Sequence, residues 1–263
     1  MSEHLHVDDD NGIRILTIDR PESKNALHGP LRGELCAAAA AADRDDDVRV
    51  VVLTAVDPVF SAGVDFKQLE RGPGETGSPL DVTPASALRA MRKPVICAVN
   101  GACVSGALEI ALSCSFIVAS ERARFADTHA LLGVVPTWGL TALLPRAVGV
   151  RKARQMSITG EFVDASEALR LGLVNHLVPH ENLMAFTLEL ASRVPANAAV
   201  GEMLSLYARG ADMSLTGALA AETSYSLGRT YDLKAFTAAG STASARQREA
   251  SHDPEGANDD GAI

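Results

Sequence analysis

The fold is decided by residues 93–113, which read KPVICAVNGACVSGALEIALS. The run from Pro94 to Val99 is continuously apolar, and such a run predicts a strand that is buried on both faces. Asn100 and Gly101 form a turn signal. From Gly106 to Ser113 the chain is again almost wholly apolar, which predicts a buried helix. The order strand, turn, helix indicates an α/β fold.

The same alternation extends towards the N-terminus. Asp10-Asn11-Gly12 is a hairpin signal that joins two strands of alternating pattern. A helix is predicted over 30–43, and the stretch from Val48 to Thr54, which is apolar apart from Arg49 and Thr54, reads as a second buried strand. Strands separated by helices of this length favour crossover connections and a substantially parallel sheet.

The C-terminal part has a different character. Helices are predicted over 181–193, 197–209 and 215–228, with few turn signals between them. The final HDPEGANDDGAI is acidic and lacks an apolar pattern, which is typical of a disordered tail. We therefore expect three parts: a core over 1–195, a helical C-terminal region over 196–250 and a disordered acidic tail over 251–263.

Charge and composition exclude several functions. The net charge is −9 with no basic cluster, which argues against nucleic acid as a partner. No apolar run reaches 18 residues, so no membrane partner is expected, and the opening MSEHLHVDDD does not read as a secretion signal. The four cysteines form no C-x-x-C pair and are interpreted as reduced, mostly buried thiols of a cytoplasmic protein.

Two segments rich in small residues are predicted to expose backbone N–H groups at helix starts. The first is Phe60 to Asp65, which reads FSAGVD, and the second is Asn100 to Glu109. A helix start favours negative charge, so the two segments together can offer a pair of donors to a developing oxyanion. The donors expected are the N–H groups of Val64 and Gly106.

Glu109 is the most unusual side chain of the apolar helix. It follows Gly106 by three residues, so its carboxylate lies on the same helix face as that amide. A carboxylate in apolar surroundings costs several kcal/mol unless it is paired or used. Glu109 is therefore either a catalytic acid/base or a group that stabilises a helix N-terminus.

Three stretches occur in a characteristic order: RPESKNAL at 20–27, FSAGVD at 60–65 and KPVICAVNG at 93–101. With further matches over about residues 5–195, they resemble the crotonase superfamily, the enoyl-CoA hydratase/isomerase family. This resemblance implies a spiral of ββα units with a C-terminal helical region, and trimers that often pair into hexamers. It also implies acyl-CoA substrates whose thioester carbonyl lies between two N–H groups, which map onto Val64 and Gly106.

The chain departs from the hydratase pattern at one catalytic position. Hydratases of the family hold water between two glutamates; one matches Glu109, and the other position is occupied here by His129. A Glu–His pair could still hydrate, with Glu109 taking a proton from water, or His129 could simply line the pocket. A second departure is Trp138, in a turn where hydratases usually carry a glycine-rich sequence. Isomerases of the family rely chiefly on a carboxylate at the position of His129 and often lack the one at the position of Glu109. This chain has the opposite arrangement, so the resemblance disfavours isomerisation.

The resemblance also places the coenzyme A path. Coenzyme A is part of the substrate, so no separate cofactor and no metal is expected. The residues implied to line the path are Lys24, Ala26, Ala62, Asp65 and Lys67, with Lys67 near phosphate. Lys24 and Lys67 could instead be ordinary solvated surface charges.

The predicted function is hydration of trans-2-enoyl-CoA to 3-hydroxyacyl-CoA in fatty acid metabolism, by a homotrimer or a dimer of trimers. Two alternatives stay open because His129 replaces a glutamate: a non-catalytic acyl-CoA-binding protein, or another acyl-CoA reaction such as thioester hydrolysis.

Overall fold

The computed structural model describes residues 3–65 and 83–230. They form two sheets and a set of helices, so the expected α/β class is confirmed. The main sheet has the order β1-β2-β3-β4-β6-β9, and a smaller one has the order β5-β7-β8. The strands are β1 (Leu5–Asp10), β2 (Ile13–Ile18), β3 (Val50–Ala55), β4 (Val95–Val99), β5 (Ala102–Val104), β6 (Phe116–Ser120), β7 (Arg124–Ala126), β8 (Val163–Asp164) and β9 (His176–Val178).

The helices alternate with the strands in the first part of the chain and follow one another in the last part. Short 3₁₀ turns occur at Pro21–Ser23, Ala130–Leu132 and His180–Asn182. The α-helices are α1 (Gly29–Arg44), α2 (Pro84–Arg89), α3 (Gly106–Ala111), α4 (Leu140–Val148), α5 (Val150–Thr159), α6 (Ala165–Leu171), α7 (Leu183–Ser192), α8 (Ala198–Gly210) and α9 (Leu215–Leu227).

The predicted hairpin opens the main sheet. β1 and β2 are antiparallel and pair Asp10 with Ile13 across the turn. Asn11 and Gly12 both have positive φ, at 49° and 78°, as a two-residue hairpin turn with the twist of the strands requires. From β2 onwards every neighbouring pair in this sheet is parallel, which confirms the predicted crossover connections.

The central strands β3 and β4 are buried on both faces. Val51 and Leu53 pack into the large core, while Val50 and Val52 pack into a smaller cluster on the opposite face. Alternation is hidden in such strands because both sets of side chains are apolar. Helix α7 contributes Leu183 and Ala191 to the smaller cluster, so the sheet lies between two hydrophobic layers.

The start of α4 is set by a glycine. The helix begins at Leu140 because Gly139 has φ 119°, a left-handed conformation. The N–H groups at this end of the helix must then find acceptors other than the helix itself. They find one in the candidate site.

The chain divides into two compact units between Ser205 and Leu206. In the second unit, α9 is capped at its N-terminus by Ser214, whose hydroxyl accepts the N–H of Gly217 at 3.2 Å. The expected divisions at residues 195 and 250 stay predictions, and the acidic tail over 251–263 lies outside the described residues. None of the described helices is long and apolar enough to cross a membrane.

Candidate active site

Main-chain bridges tie three loops together at the site. The Ser61 N–H donates to the Ala102 carbonyl at 3.0 Å, and the Ser61 carbonyl accepts from Val104 N–H at 3.1 Å. Leu27 and Val64 form a second parallel bridge, in which Leu27 N–H donates to the Gly63 carbonyl at 2.8 Å. A parallel bridge of this kind uses the backbone groups on either side of Val64, so the Val64 N–H itself stays out of the ladder.

The Val64 and Gly106 nitrogens come close together where these loops meet. A methyl group on Gly106 would lie 3.5 Å from the Val64 nitrogen, and one on Gly63 would lie 3.3 Å from the Gly106 nitrogen. Gly63 has φ 89°, and its methyl group would also lie 2.7 Å from the Val104 carbonyl, so glycine is required there. Across the described ranges, neither the Val64 nor the Gly106 N–H donates to a backbone carbonyl. The arrangement offers two adjacent donors to an incoming oxygen.

Ser105 fixes the start of α3 in an unusual conformation. Its φ is 49° and its ψ is −108°, outside the regions that non-glycine residues normally adopt. Its N–H donates to the Ala126 carbonyl at 2.9 Å, and its hydroxyl accepts the Thr128 N–H at 2.9 Å. These contacts hold the strained backbone in place and join the Gly106 loop to the segment that carries His129.

Glu109 is buried, with 2% of its side chain exposed. Its Oε1 accepts the N–H of Trp138 at 2.7 Å and of Leu140 at 3.1 Å, so the carboxylate caps the start of α4. Burial raises the pKa of Glu109, although the two amide donors and His129 act in the opposite direction. Both readings of Glu109 therefore have structural support: one oxygen stabilises a helix N-terminus, and the other is available.

That second oxygen faces His129. Glu109 Oε2 lies 3.9 Å from His129 Nε2, too far for a direct hydrogen bond. The other ring nitrogen, Nδ1, lies 2.5 Å from Asp127 Oδ1, within hydrogen-bond distance. His129 keeps 12% of its side chain exposed, whereas Asp127 keeps 1%. The side chains of Glu109, His129 and Asp127 therefore lie in a row across the site, with His129 in the middle.

Sequence reasoning missed Asp127. Burial acts to raise the pKa of this carboxyl, but the contacts with His129 and the nearby Ser157 outweigh it, and the pKa is lowered. The available signal was the spacing Asp-x-His, because an aspartate often accepts the N–H two residues later, and Asp127 Oδ1 accepts the His129 N–H at 3.2 Å.

Trp138 forms one wall of the site. Its ring carbon Cζ3 would lie 3.2 Å from a methyl group on Gly106, so the indole packs over the start of α3. Its carbonyl accepts from Arg89 at 2.9 Å, and Arg89 also donates to the Ser113 hydroxyl at 2.7 Å. The indole is therefore fixed from both the N–H and the carbonyl of its own residue.

The residues expected along the coenzyme A path are partly brought together. The carbonyl of Lys24, an exposed residue, accepts the Ala62 N–H at 3.0 Å. Arg20 donates to Asp65 Oδ2 at 2.7 Å and to the Ala26 carbonyl at 3.1 Å, so the Asp65 carboxylate is engaged within the protein. Lys67 lies outside the described residues. The binding roles of all five stay predictions.

The cysteines are free thiols, as expected. Burial raises the pKa of Cys97 and of Cys103, which makes both unreactive. Within residues 3–65 and 83–230, no group of three metal-ligating side chains is close enough to hold an ion.

Comparison with known proteins identifies the family. The family model described as enoyl-CoA hydratase/isomerase matches residues 8–245. The chain belongs to the enoyl-CoA hydratase/isomerase family. The resemblance seen in the sequence is thereby confirmed, and with it the crotonase-type fold.

Curated relatives and solved structures agree. The chain is 37% identical to a probable peroxisomal enoyl-CoA hydratase 1 of Arabidopsis thaliana, over 71% of this chain and 70% of that protein. It is 36% identical to a short-chain-enoyl-CoA hydratase of Clostridium acetobutylicum, over 80% and 83%. The crystal structure of an enoyl-CoA hydratase from Mycobacterium tuberculosis superposes with a TM-score of 0.70 at 45% identity, covering 79% of this chain and 90% of that one.

Proposed function

We propose that this family member catalyses the addition of water to trans-2-enoyl-CoA, forming 3-hydroxyacyl-CoA in fatty acid metabolism. The observation that carries the proposal is the state of Glu109. One oxygen of this buried carboxylate is held by two backbone amides, and the other faces His129 across 3.9 Å. Relatives whose names contain enoyl-CoA hydratase support the same reaction.

The gap between Glu109 and His129 is suited to one water molecule. For a water about 2.8 Å from both Oε2 and Nε2, the angle Oε2–water–Nε2 would be roughly 90°, not far from the tetrahedral angle. Because Oε1 is fixed by the start of α4, Oε2 cannot swing away from this position without losing two hydrogen bonds. The pair can therefore orient water before the substrate arrives.

The Val64 and Gly106 N–H groups are proposed to bind the thioester oxygen. When the water oxygen bonds to Cβ, the electron pair of the double bond moves through Cα to this oxygen and an enolate forms. Two donors fixed by main-chain bridges stabilise that charge without reorganising, and such a donor typically contributes about 3 kcal/mol to the transition state.

Two proton transfers complete the reaction. Glu109 Oε2 takes a proton from the water as the oxygen bonds to Cβ. His129, protonated at Nε2, gives its proton to Cα, and the enolate collapses to the thioester. The proton on Glu109 then returns to His129 through the next water, so the net change is the addition of one water molecule.

The test uses loss of the ultraviolet absorbance of the conjugated enoyl thioester, with crotonyl-, octenoyl- and longer enoyl-CoA. We expect turnover by the native protein and loss of at least 10²-fold in Glu109→Gln, a typical contribution of an acid/base group. Calorimetric binding of acyl-CoA without any turnover would support the non-catalytic alternative. Release of free thiol from a saturated acyl-CoA would support thioester hydrolysis instead.

Coenzyme A is proposed to bind along the loops of Lys24, Ala26, Ala62 and Asp65, with Lys67 proposed to bind a phosphate. The support is the cross-linking of these loops to the Val64 segment, described above for Lys24 and Ala62. We also propose assembly into trimers or pairs of trimers. Exposed apolar side chains on α9, among them Leu215, Leu219 and Leu227, favour a covered surface there. Light scattering should give three or six times 27.5 kDa.

A cytoplasmic location is proposed from the four free cysteines, which suit a reducing compartment. A relative is named as peroxisomal and another as mitochondrial, so fractionation of cells that express the chain decides the compartment.

A further inference from the structure

Asp127 is a buried carboxylate at the site that the reaction described above does not use. Only 1% of its side chain is exposed, and it lies at the end of β7, on the side of His129 opposite Glu109. Burying an ionised carboxylate costs several kcal/mol unless charge and hydrogen bonds compensate. Within the part of the chain that the structure describes, the side chain that meets the Asp127 carboxylate at ion-pair distance is His129.

The contact with His129 has a defined proton. An aspartate is ordinarily ionised at neutral pH and a carboxylate can only accept, so His129 Nδ1 carries the hydrogen of the 2.5 Å contact. Because Nδ1 is occupied in this way, Nε2 is the ring nitrogen that faces Glu109 and the substrate space. Without such a partner a neutral imidazole can place its hydrogen on either nitrogen.

The segment around Asp127 is held through both of its neighbours. The carbonyl of Ala126 accepts the Ser105 N–H at 2.9 Å. Thr128 is held by the Ser105 hydroxyl, through its N–H at 2.9 Å and its own hydroxyl at 2.8 Å. Asp127 is therefore anchored to the same loop that presents the Gly106 N–H, and it can hold the ring of His129 at a constant distance from that donor.

We propose that Asp127 is a positioning residue, which holds His129 with Nδ1–H towards its carboxylate and Nε2 towards Glu109. The inference rests on the proposed hydration, because Asp127 acts only through His129. The ionisable groups that face the ring are Asp127 on one side and Glu109 on the other. In the hydratase pattern a second glutamate supplies a negative charge at this position. Here the negative charge belongs to Asp127, which lies behind His129.

The test is a double-mutant cycle on kcat for crotonyl-CoA. Asp127→Asn is expected to lower kcat about 10²-fold with little change in KM, since the effect is on proton transfer and not on substrate binding. In the His129→Gln background the same substitution is expected to leave kcat almost unchanged. A fall of equal size in both backgrounds would overturn the proposal, because a purely structural role does not depend on His129.

Asp19→Asn is the matched control. Asp19 also contacts a histidine, with Oδ2 2.6 Å from His6 Nε2, but this pair lies on the exposed hairpin. We expect its kcat to equal that of the native protein.

A second measurement needs no variant and no activity. In ¹⁵N spectra of the native protein labelled at histidine, His129 is expected to carry a proton on Nδ1 across neutral pH. A spectrum with Nδ1 unprotonated and Nε2 protonated would refute the positioning role even if Asp127→Asn failed to fold. If the native protein showed the expected spectrum but no hydration, the proposed function would fail while the contact with Asp127 stood.

Discussion

Replacing Gly106 by alanine separates the chemistry of the site from the stability of the fold. Gly106 is the first residue of α3, and its φ lies in the ordinary negative range, so the backbone accepts a side chain there. The added methyl group would lie 3.2 Å from both Trp138 Cζ3 and Val64 Cγ2, and 3.5 Å from the Val64 nitrogen. It would therefore occupy the space beside both proposed oxyanion donors.

The effect on stability is expected to be small. Two contacts at 3.2 Å require the indole and the valine methyl to move by a few tenths of an ångström, and the strain is of order 1 kcal/mol. In the opposite direction, alanine is more favourable than glycine in a helix by up to about 1 kcal/mol. We expect the free energy of unfolding to change by no more than about 1 kcal/mol.

The effect on activity is expected to be much larger. The thioester oxygen must approach the Val64 and Gly106 nitrogens to about 2.9 Å, and the methyl group displaces it from that position. Loss of one such donor costs about 3 kcal/mol, so kcat/KM for crotonyl-CoA should fall 10²- to 10³-fold.

Gly33→Ala is the control for a glycine-to-alanine change in a helix. Gly33 lies within α1, and a methyl group there would meet nothing within 4 Å. It should raise the free energy of unfolding by about 0.5–1 kcal/mol and leave kcat/KM unchanged. Urea denaturation and initial rates measure both quantities. A Gly106→Ala protein with native kcat/KM would refute the assignment of the two N–H groups, and one that unfolds readily would refute the packing argument.

Two further predictions concern stability. Burial raises the folded-state pKa of Glu109 above its ordinary value of 4.5. The ionised carboxylate therefore destabilises the fold: the cost is absent below pH 4.5, grows as the pH rises, and is complete above the folded-state pKa. Glu109→Gln should therefore melt at a higher temperature than the native protein at pH 7, with the difference shrinking towards pH 4; a lower melting temperature at pH 7 would contradict this. Arg20→Met removes the hydrogen bonds to Asp65 and to the Ala26 carbonyl, and is expected to cost about 2 kcal/mol in urea denaturation. A change below 0.5 kcal/mol would show that this pair does not hold the loops.

The sequence predicted those features that long local patterns encode. The buried strands β3 and β4 extend over five or more apolar residues, and the hairpin at Asn11 and Gly12 has a well-known turn chemistry. The smaller sheet was largely missed. β5 and β8 have three and two residues, too few to show a period, and their pairing depends on partners distant in the chain.

The site was predictable in part for the same reason. Gly106 and Glu109 lie within one turn of a helix, so their common face could be inferred from spacing. The cap that Glu109 makes at α4 could not be inferred from spacing, because its partners Trp138 and Leu140 are separated from it by 29 and 31 positions in the sequence. Nor could the role of Asp127, since a carboxylate two residues before a histidine is more often an ordinary turn residue, and only burial distinguishes this one.

The main-chain bridges at Ser61 and at Leu27 have a consequence for how such a protein can change. The proposed oxyanion donors are backbone groups, and so are the atoms that align their loops. Side-chain substitutions on those loops therefore cannot remove the two donor N–H groups or the hydrogen bonds that align them, provided that Gly63 keeps its conformation. The groups proposed to transfer protons, by contrast, are a few replaceable side chains. If the two N–H groups bind thioester carbonyls as proposed, a lineage with this scaffold can keep that binding while it exchanges His129 or Glu109, and so acquire a different reaction in a small number of mutational steps.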